Sequence, residues 1–396
     1  MEPPLIKRLL SNLLVWIVIA IVLGAVLGKV LPEIAIVPFA TFNDIFGKFL
    51  GFVVPLIIVG LVTPAIADLG KSGGRWVALT VGLGYLSTII AGLGTWGLAT
   101  IIYPSLLASQ HVPDLAEPKN AVASIMDEAF TLPPVFGVLT ALILAFLIGF
   151  GTVAANAYKM IDLLSEFRRV VNVIISRSIV PLLPIHVFGI FLNMSKSGQF
   201  ETVIVAMAKV ILFAFALTLV MLVFQYTIAG TIAKRNPITS LWNMRDAYAT
   251  ALGTASSAAT IPVTLRSTMK NGVSEDVAGF VVPLCATIHL AGSTIKITAF
   301  ALALQYMLGI AASPSAIISF VFMLGIIMIA APGVPGGAIT AAQSVVQGTL
   351  GFTDPMYGVM VALYVAVDSF GTATNVTGDG AIAMIVNRFA MTRMKR

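Results

Sequence analysis

Apolar residues along this chain gather in runs too long for the core of a small soluble domain. They fall near residues 12–31, 46–67, 76–102, 135–157, 170–194 and 203–230. A run of roughly 20 such residues crosses a hydrocarbon core of about 30 Å as an α-helix, with every backbone group satisfied internally. The short alternating strands of an outer-membrane barrel are not seen in the sequence. After residue 236 the pattern changes. Pro237–Lys270 is amphipathic and interrupted by GTASSAATIP, and residues 278–307 are apolar but carry the polar insert Thr287–Thr294. From Ile297 to Thr353 there is no charge, yet APGVPGGA at 331–338 holds enough proline and glycine to stop a helix. The last apolar segment contains LYVAVDSFGTATNVTGD, residues 363–379. The pattern predicts six spans, then two interrupted segments, each followed by a helix broken by polar residues. Non-helical backbone at membrane depth is tolerated only where protein buries it or where it lines a cavity. Paired interrupted segments point to a transporter's binding site.

Composition agrees. Of 396 residues, 58% are hydrophobic and 10% charged, which identifies an integral membrane protein. The net charge of +6 sits mostly in short loops and forms no nucleic-acid patch. Lys7 and Arg8 precede the first span, Lys71 and Arg75 follow the second, and Lys159, Arg168 and Arg169 follow the fourth. Lys234 and Arg235 follow the sixth, and Arg388, Arg393, Lys395 and Arg396 close the chain. By the positive-inside rule these clusters, and both termini, belong in the cytoplasm. The connection 104–132 carries Asp114, Glu117, Asp127 and Glu128 against Lys119 alone, which suits the outside. A multi-pass protein of a bacterial cytoplasmic membrane is expected. The N-terminal apolar stretch reads as a first span, being too long for a signal h-region and lacking an A-x-A site. A single cysteine, Cys285, excludes an intrachain disulfide, and three scattered histidines make no metal cluster. No nucleophile–base pair is apparent, so no enzyme is expected.

The chemistry lies in the final span. Asp368, Thr372, Asn375 and Asp379 are spaced by four, three and four, which places them on one helical stripe. An ionisable group at membrane depth costs roughly 3 kcal/mol or more, so it marks a functional site by default. The plainer alternatives are a structural lysine partner for the acid and helix–helix hydrogen bonds for the Thr and Asn, about 1 kcal/mol each.

Four motifs in order then resemble one family. TASSAATIPVTL (254–265), VPLCATIHLAGST (282–294), APGVPGGA (331–338) and DSFGTATNVTGD (368–379) are similar to the binding motifs of the dicarboxylate/amino acid:cation symporter family. The family includes glutamate transporters and bacterial sodium/serine-threonine symporters, and the likeness covers the whole chain. SSAATIPV and the Ala291-Gly292-Ser293 ending look closer to the serine/threonine branch. The resemblance implies an all-α integral membrane fold of eight transmembrane helices plus two re-entrant hairpins, around 237–270 and 313–350, arranged as inverted repeats. It implies a homotrimer in lipid that works as an elevator. Residues 1–75 would supply scaffold helices 1–2 and residues 76–103 transport-domain helix 3. Residues 104–200 would be an extracellular loop with scaffold helices 4–5, and 201–396 the rest of the transport domain.

The resemblance also implies residue roles. Asp368 matches the position that binds a substrate α-ammonium, while Thr372, Asn375 and Ser293 match further substrate contacts. Ser256 and Ser257 of the first hairpin, with Gly333, Val334 and Gly336 of the second, would hold an α-carboxylate in an amide nest. Acidic-substrate relatives place an arginine where this chain has Gly371, so a small neutral amino acid such as serine, threonine or alanine is expected. For sodium, Asp379 matches a side-chain ligand, joined by carbonyls of Cys285, His289 and Asn375. A second set comprises carbonyls of Thr287, Met328, Ile329 and Ala331, as suits a hard cation. The third family site departs from its pattern: Asn-Met-Asp-Gly-Thr reads His289-Leu290-Ala291-Gly292-Ser293, though Tyr85 and Thr88 keep part of it. One or two sodium ions are therefore expected. Lys296 is read as filling a cation's space and charge by pairing with Asp368 or Asp379, or else as snorkelling to an interface. His289 is read as neutral and hydrogen-bonded, with proton coupling the other option. The leading expectation is a sodium-coupled secondary symporter of small neutral amino acids. The alternatives are a proton- or sodium-coupled carrier of an acidic or larger amino acid or dicarboxylate, with Lys296 contacting it, and an ion channel.

Overall fold

The computed structural model describes residues 13–71, 75–108, 131–196, 198, 200–310, 312–331 and 336–394. All regular elements among the described residues are helices. The first are α1 (Leu13–Val30), α2 (Glu33–Lys71), α3 (Arg75–Leu106) and α4 (Val138–Ala154). Then come α5 (Tyr158–Ile174), a π-helical turn at Ile175–Ile179, α6 (Val180–Lys196) and α7 (Phe200–Ala233). The apolar run 170–194 thus corresponds to the end of α5, the π turn and α6. Helix α5 itself, YKMIDLLSEFRRVVNVI, is amphipathic and was not expected, because its apolar positions alternate with charges.

The interrupted segments form as hairpins. In the first, α8 (Pro237–Asn243) and α9 (Arg245–Thr254) lead to α10 (Ser257–Lys270) through Ala255, which has φ 48°, and Ser256. Ser256 caps α10, its side chain accepting from Ala259 N at 3.3 Å. The hairpin's base is closed by Asn243 Nδ2 donating to Asn271 Oδ1 (2.8 Å) and by Lys270 Nζ on Asp246 Oδ2 (2.9 Å). In the second, α13 (Pro314–Ala330) and α14 (Gly337–Leu350) pack together, and α14 begins after Gly336 at φ 74°. Each hairpin is followed by a broken helix. Helix α11 (Glu275–Ile288) gives way to α12 (Ala291–Met307) at His289–Leu290, within the expected polar insert. Helices α15 (Asp354–Ala366) and α16 (Asp368–Met394) meet at Val367 with a bend of 64°. That last break falls at Val367, immediately before the polar residues 368–379 expected to interrupt the final helix.

Packing positions the site. Helix α1 packs on α6, and α2 on α4, α5 and α6; α3 lies against α12 and α13. Helices α7, α9, α10, α11 and α12 all pack on α16. A distinct apolar core joins Tyr226, Met244, Ala251, Val281 and Cys285 to Ala373, Val376 and Ala381–Val386 of that helix. Large apolar side chains such as Ile101, Leu147, Phe150 and Leu212 face outward, as on a lipid-exposed wall. Among the described residues, Arg75–Leu106, Val203–Ala233 and Glu275–Met307 are long and apolar enough to cross a membrane, and the bent α15–α16 pair makes a fourth. Shorter apolar helices such as Val15–Val30 and Pro314–Ile329 accompany them.

Candidate functional site

All four residues of the stripe, Asp368, Thr372, Asn375 and Asp379, are buried on α16. Helix α12 begins directly against it. Gly292 N donates to Asn375 Oδ1 at 2.7 Å, and Asn375 Nδ2 donates to Ser293 Oγ at 3.2 Å. The side-chain amide therefore satisfies a backbone donor that the start of a helix leaves unpaired. Glycine at 292 is required for this approach, since a Cβ there would lie 2.6 Å from Gly371 O.

Asp368 joins three elements. Its Oδ1 accepts from Lys296 Nζ of α12 at 3.1 Å, and its Oδ2 accepts from Gly336 N at the head of α14 at 2.8 Å. Thr372 Oγ1 donates to Asp368 O at 3.2 Å. Lys296, 2% exposed, also donates to Asp368 O (3.1 Å) and Val367 O (3.3 Å), and its Nζ lies 3.9 Å from the centre of the Tyr364 ring. Its three N–H donors are thus all engaged. The end of its side chain lies beside Gly371: a Cβ at that position would be 2.6 Å from Nζ. Lys296 pairs with Asp368 and does not reach an interface.

Asp379 has a different partner. His289 Nδ1 lies 2.9 Å from Asp379 Oδ1, and His289 Nε2 lies 3.0 Å from Ser87 Oγ and 3.3 Å from Gln225 Nε2. Gln225 Nε2 also donates to Ser87 Oγ at 2.8 Å. Facing a carboxylate, Nδ1–H donates to Asp379, while Nε2 meets the Ser87 hydroxyl and the Gln225 amide, either of whose polar groups can serve as its partner. Gly378 makes room for it, since a Cβ there would be 2.6 Å from His289 Cε1. Neither Ser87 nor Gln225 was singled out from sequence. A glutamine inside the apolar run 203–230 was the available signal; one serine in a span is too common to be one.

The other expected residues fall at several places. Ser257 is buried and Ser256 caps α10 at the first hairpin's tip. The base of that hairpin meets α16 near its C-terminal half: a Cβ at Gly380 would be 2.7 Å from Met244 Cε, and Ser274 N donates to Asn387 Oδ1. Ten residues of α9 rise about 15 Å, and both α9 and α10 pack along α16. Gly333 and Val334 lie outside the described residues. Tyr85 OH donates to Phe322 O (3.3 Å) and Thr88 Oγ1 to Gly84 O (3.0 Å), so both hydroxyl protons are committed away from Asp379.

Two helix ends offer cation ligands. Cys285 and Thr287 lie in the last turn of α11; Met328 and Ile329 lie in the last turn of α13, with Ala331 its C-cap. The two helices pack on each other. Last-turn carbonyls lack intrahelical partners and carry the negative end of the dipole, which suits a hard cation. Cys285 O accepts from His289 N (2.9 Å) and Met328 O from Ala331 N (3.4 Å), each with a second lone pair remaining. Gln225 Oε1 is buried without a hydrogen-bond partner among the described residues, an unused oxygen in the His289–Asp379 network.

Buried carboxylates and amides set between two broken helices and the head of α14, inside an apolar bundle, suit a membrane carrier. The chain belongs to the sodium:dicarboxylate symporter family, whose sequence model matches residues 13–389. It is therefore a cation-coupled transporter in a multi-pass membrane fold. The serine/threonine transporter SstT of Acinetobacter baylyi is similar, 25% identical over 371 residues, covering 89% of this chain and 92% of the relative.

Proposed function

We propose that this protein is a sodium-coupled symporter of small neutral amino acids, with serine, threonine and alanine as its substrates. The observation that carries the reading is the Asp368 carboxylate, buried beside Thr372 and Asn375, with Gly371 in place of an arginine and the neighbouring Lys296 ammonium already bonded to Asp368. A substrate α-ammonium would take the Oδ2 side, where Gly336 N–H now donates. Such a charge-assisted bond is strong where water is excluded. The α-carboxylate would meet amides and hydroxyls of the hairpin tips, Ser256, Ser257, Gly333 and Val334, while Ser293 and Asn375 orient the zwitterion. Lys296 is not free to grip an acidic side chain, because its three donors are engaged within the protein.

Sodium would be co-transported at Asp379 with carbonyls of Cys285, His289 and Asn375, and at the α11 and α13 ends, giving one or two ions per cycle. Helices α3, α7–α16 would move as a transport unit against α1, α2 and α4–α6 in a homotrimer of the bacterial inner membrane, with cytoplasmic termini. Substrate and sodium shift that equilibrium only by binding its states unequally, and each then raises the other's affinity. Purified protein in liposomes should take up labelled serine under an inward sodium gradient. Threonine and alanine should compete, and aspartate and succinate should not. Asp379→Asn should flatten the dependence of uptake on sodium. Displacement of serine by aspartate, or uptake driven equally without sodium, would contradict the reading.

A further inference from the structure

An ammonium at membrane depth is tolerated only where protein solvates it fully. Lys296 meets that condition in one place, the break between α15 and α16. There the chain leaves helical geometry at Val367, φ −119° and ψ 20°, and bends by 64°. Two consecutive carbonyls, of Val367 and Asp368, are thereby brought within 3.3 Å and 3.1 Å of one nitrogen, with Asp368 Oδ1 at 3.1 Å. Tyr364 closes the shell with its ring face. Two carbonyls, one carboxylate oxygen and an aromatic face together match the three donors and the charge of an alkylammonium. The shell belongs to the α15–α16 elbow, while the cation filling it arrives from α12.

We propose that this elbow is a monovalent-cation site, and that Lys296 is its tethered occupant. Its oxygens lie at ammonium hydrogen-bond distances, so a primary ammonium is the free ligand that fits it best. Gly371 supplies the space for the tether, since a Cβ there would overlap the lysine's end. A cavity of about 190 Å³ between α7 and α16, lined by Phe215, Thr218, Lys296, Val367 and Phe370 among others, reaches the same side chain and leaves room beside it. The site lies on the Oδ1 side of Asp368, opposite the oxygen assigned to substrate, and it stands without any assignment of substrate. Its consequence is that Asp368 keeps a counter-charge when no ion is bound.

The test is chemical replacement of the tether in the full-length protein. Thermal unfolding of Lys296→Ala is followed in choline, potassium and methylammonium chloride at equal ionic strength. Methylammonium restores the missing end group, while choline carries the same charge without an N–H. The melting midpoint of Lys296→Ala should rise saturably, by several degrees, in methylammonium over choline. The parent and the charge-free Lys296→Met/Asp368→Asn double variant should show no such difference. Lys296→Gln, closer in length, should respond in the same direction but less. Equal midpoints in choline and methylammonium for the single variants, or no folded single variant in any of the salts, would overturn the proposal. Failure of the amino-acid reading would appear instead as absent serine uptake by the parent, which this measurement does not touch.

Discussion

Gly371 and Gly378 stand seven residues apart on α16, and each accepts a basic side chain, Lys296 and His289, that are themselves seven apart. The glycines are notches, so their substitution should act through the partner above them. Gly371→Ala should destabilise the protein by about 1–3 kcal/mol, as overpacking does, offset in part by alanine's better helix propensity. In a Lys296→Ala background the cost should largely vanish, giving a non-additive cycle measurable by thermal or denaturant unfolding. An unchanged cost would mean that the lysine is not what the notch accommodates. At this scale much could be read from the chain. The stripe Asp368, Thr372, Asn375, Asp379 is written in its spacing, and Lys296 announces itself as a charge in an apolar run. Which acid Lys296 takes was not legible, because both lie on the same helix and only the antiparallel register chooses. Ser87 was invisible for a related reason: its role is set by His289 and Gln225, which come from elsewhere in the chain.

The hairpins and broken helices show where pattern suffices and where it does not. GTASSAATIP and APGVPGGA mark the two tips through their small residues and prolines, and helices end there at Thr254 and Ala330. Gly336 adds a prediction. Its φ of 74° is left-handed, and its N–H holds Asp368 Oδ2. Gly336→Ala should cost about 1–2 kcal/mol from that conformation and loosen the second hairpin's hold on Asp368. Hydrogen exchange across residues 337–341 should quicken, and the Km for serine should rise. Exchange as slow as the parent's would show that this contact does not secure the hairpin. The break at Val367 has no such local cause, with neither proline nor glycine at the position. Lys296 binding the carbonyls on both sides of the peptide supplies a tertiary cause, and tertiary contacts leave no local trace. Helix α5 contains no long apolar run, because its charges occupy one face.

For the molecule as a whole, the arrangement of α15 decides how motion can be tested. It continues into the site helix α16, yet it packs on α6 and α1. A Cβ at Gly358 of α15 would collide with Ile190 of α6. A Gly358→Cys/Ile190→Cys pair, oxidised in liposomes, should abolish serine uptake, and reduction should restore it. Persistent uptake with the bond formed would exclude relative movement of these helices during transport. The native Cys285 is buried and will not interfere.

Three contacts tie α11–α12 to α16: His289 to Asp379 beside Gly378, Gly292 to Asn375, and Lys296 to Asp368 beside Gly371. They all share one antiparallel alignment. A slip by a single turn, about 5.4 Å, would strand an acid at both ends and uncap a helix in the middle. Sliding of these helices past one another is thereby closed off as a way to open the pocket. Whatever carries cargo across the bilayer must carry this trio of rungs intact, like a ladder moved without changing its steps.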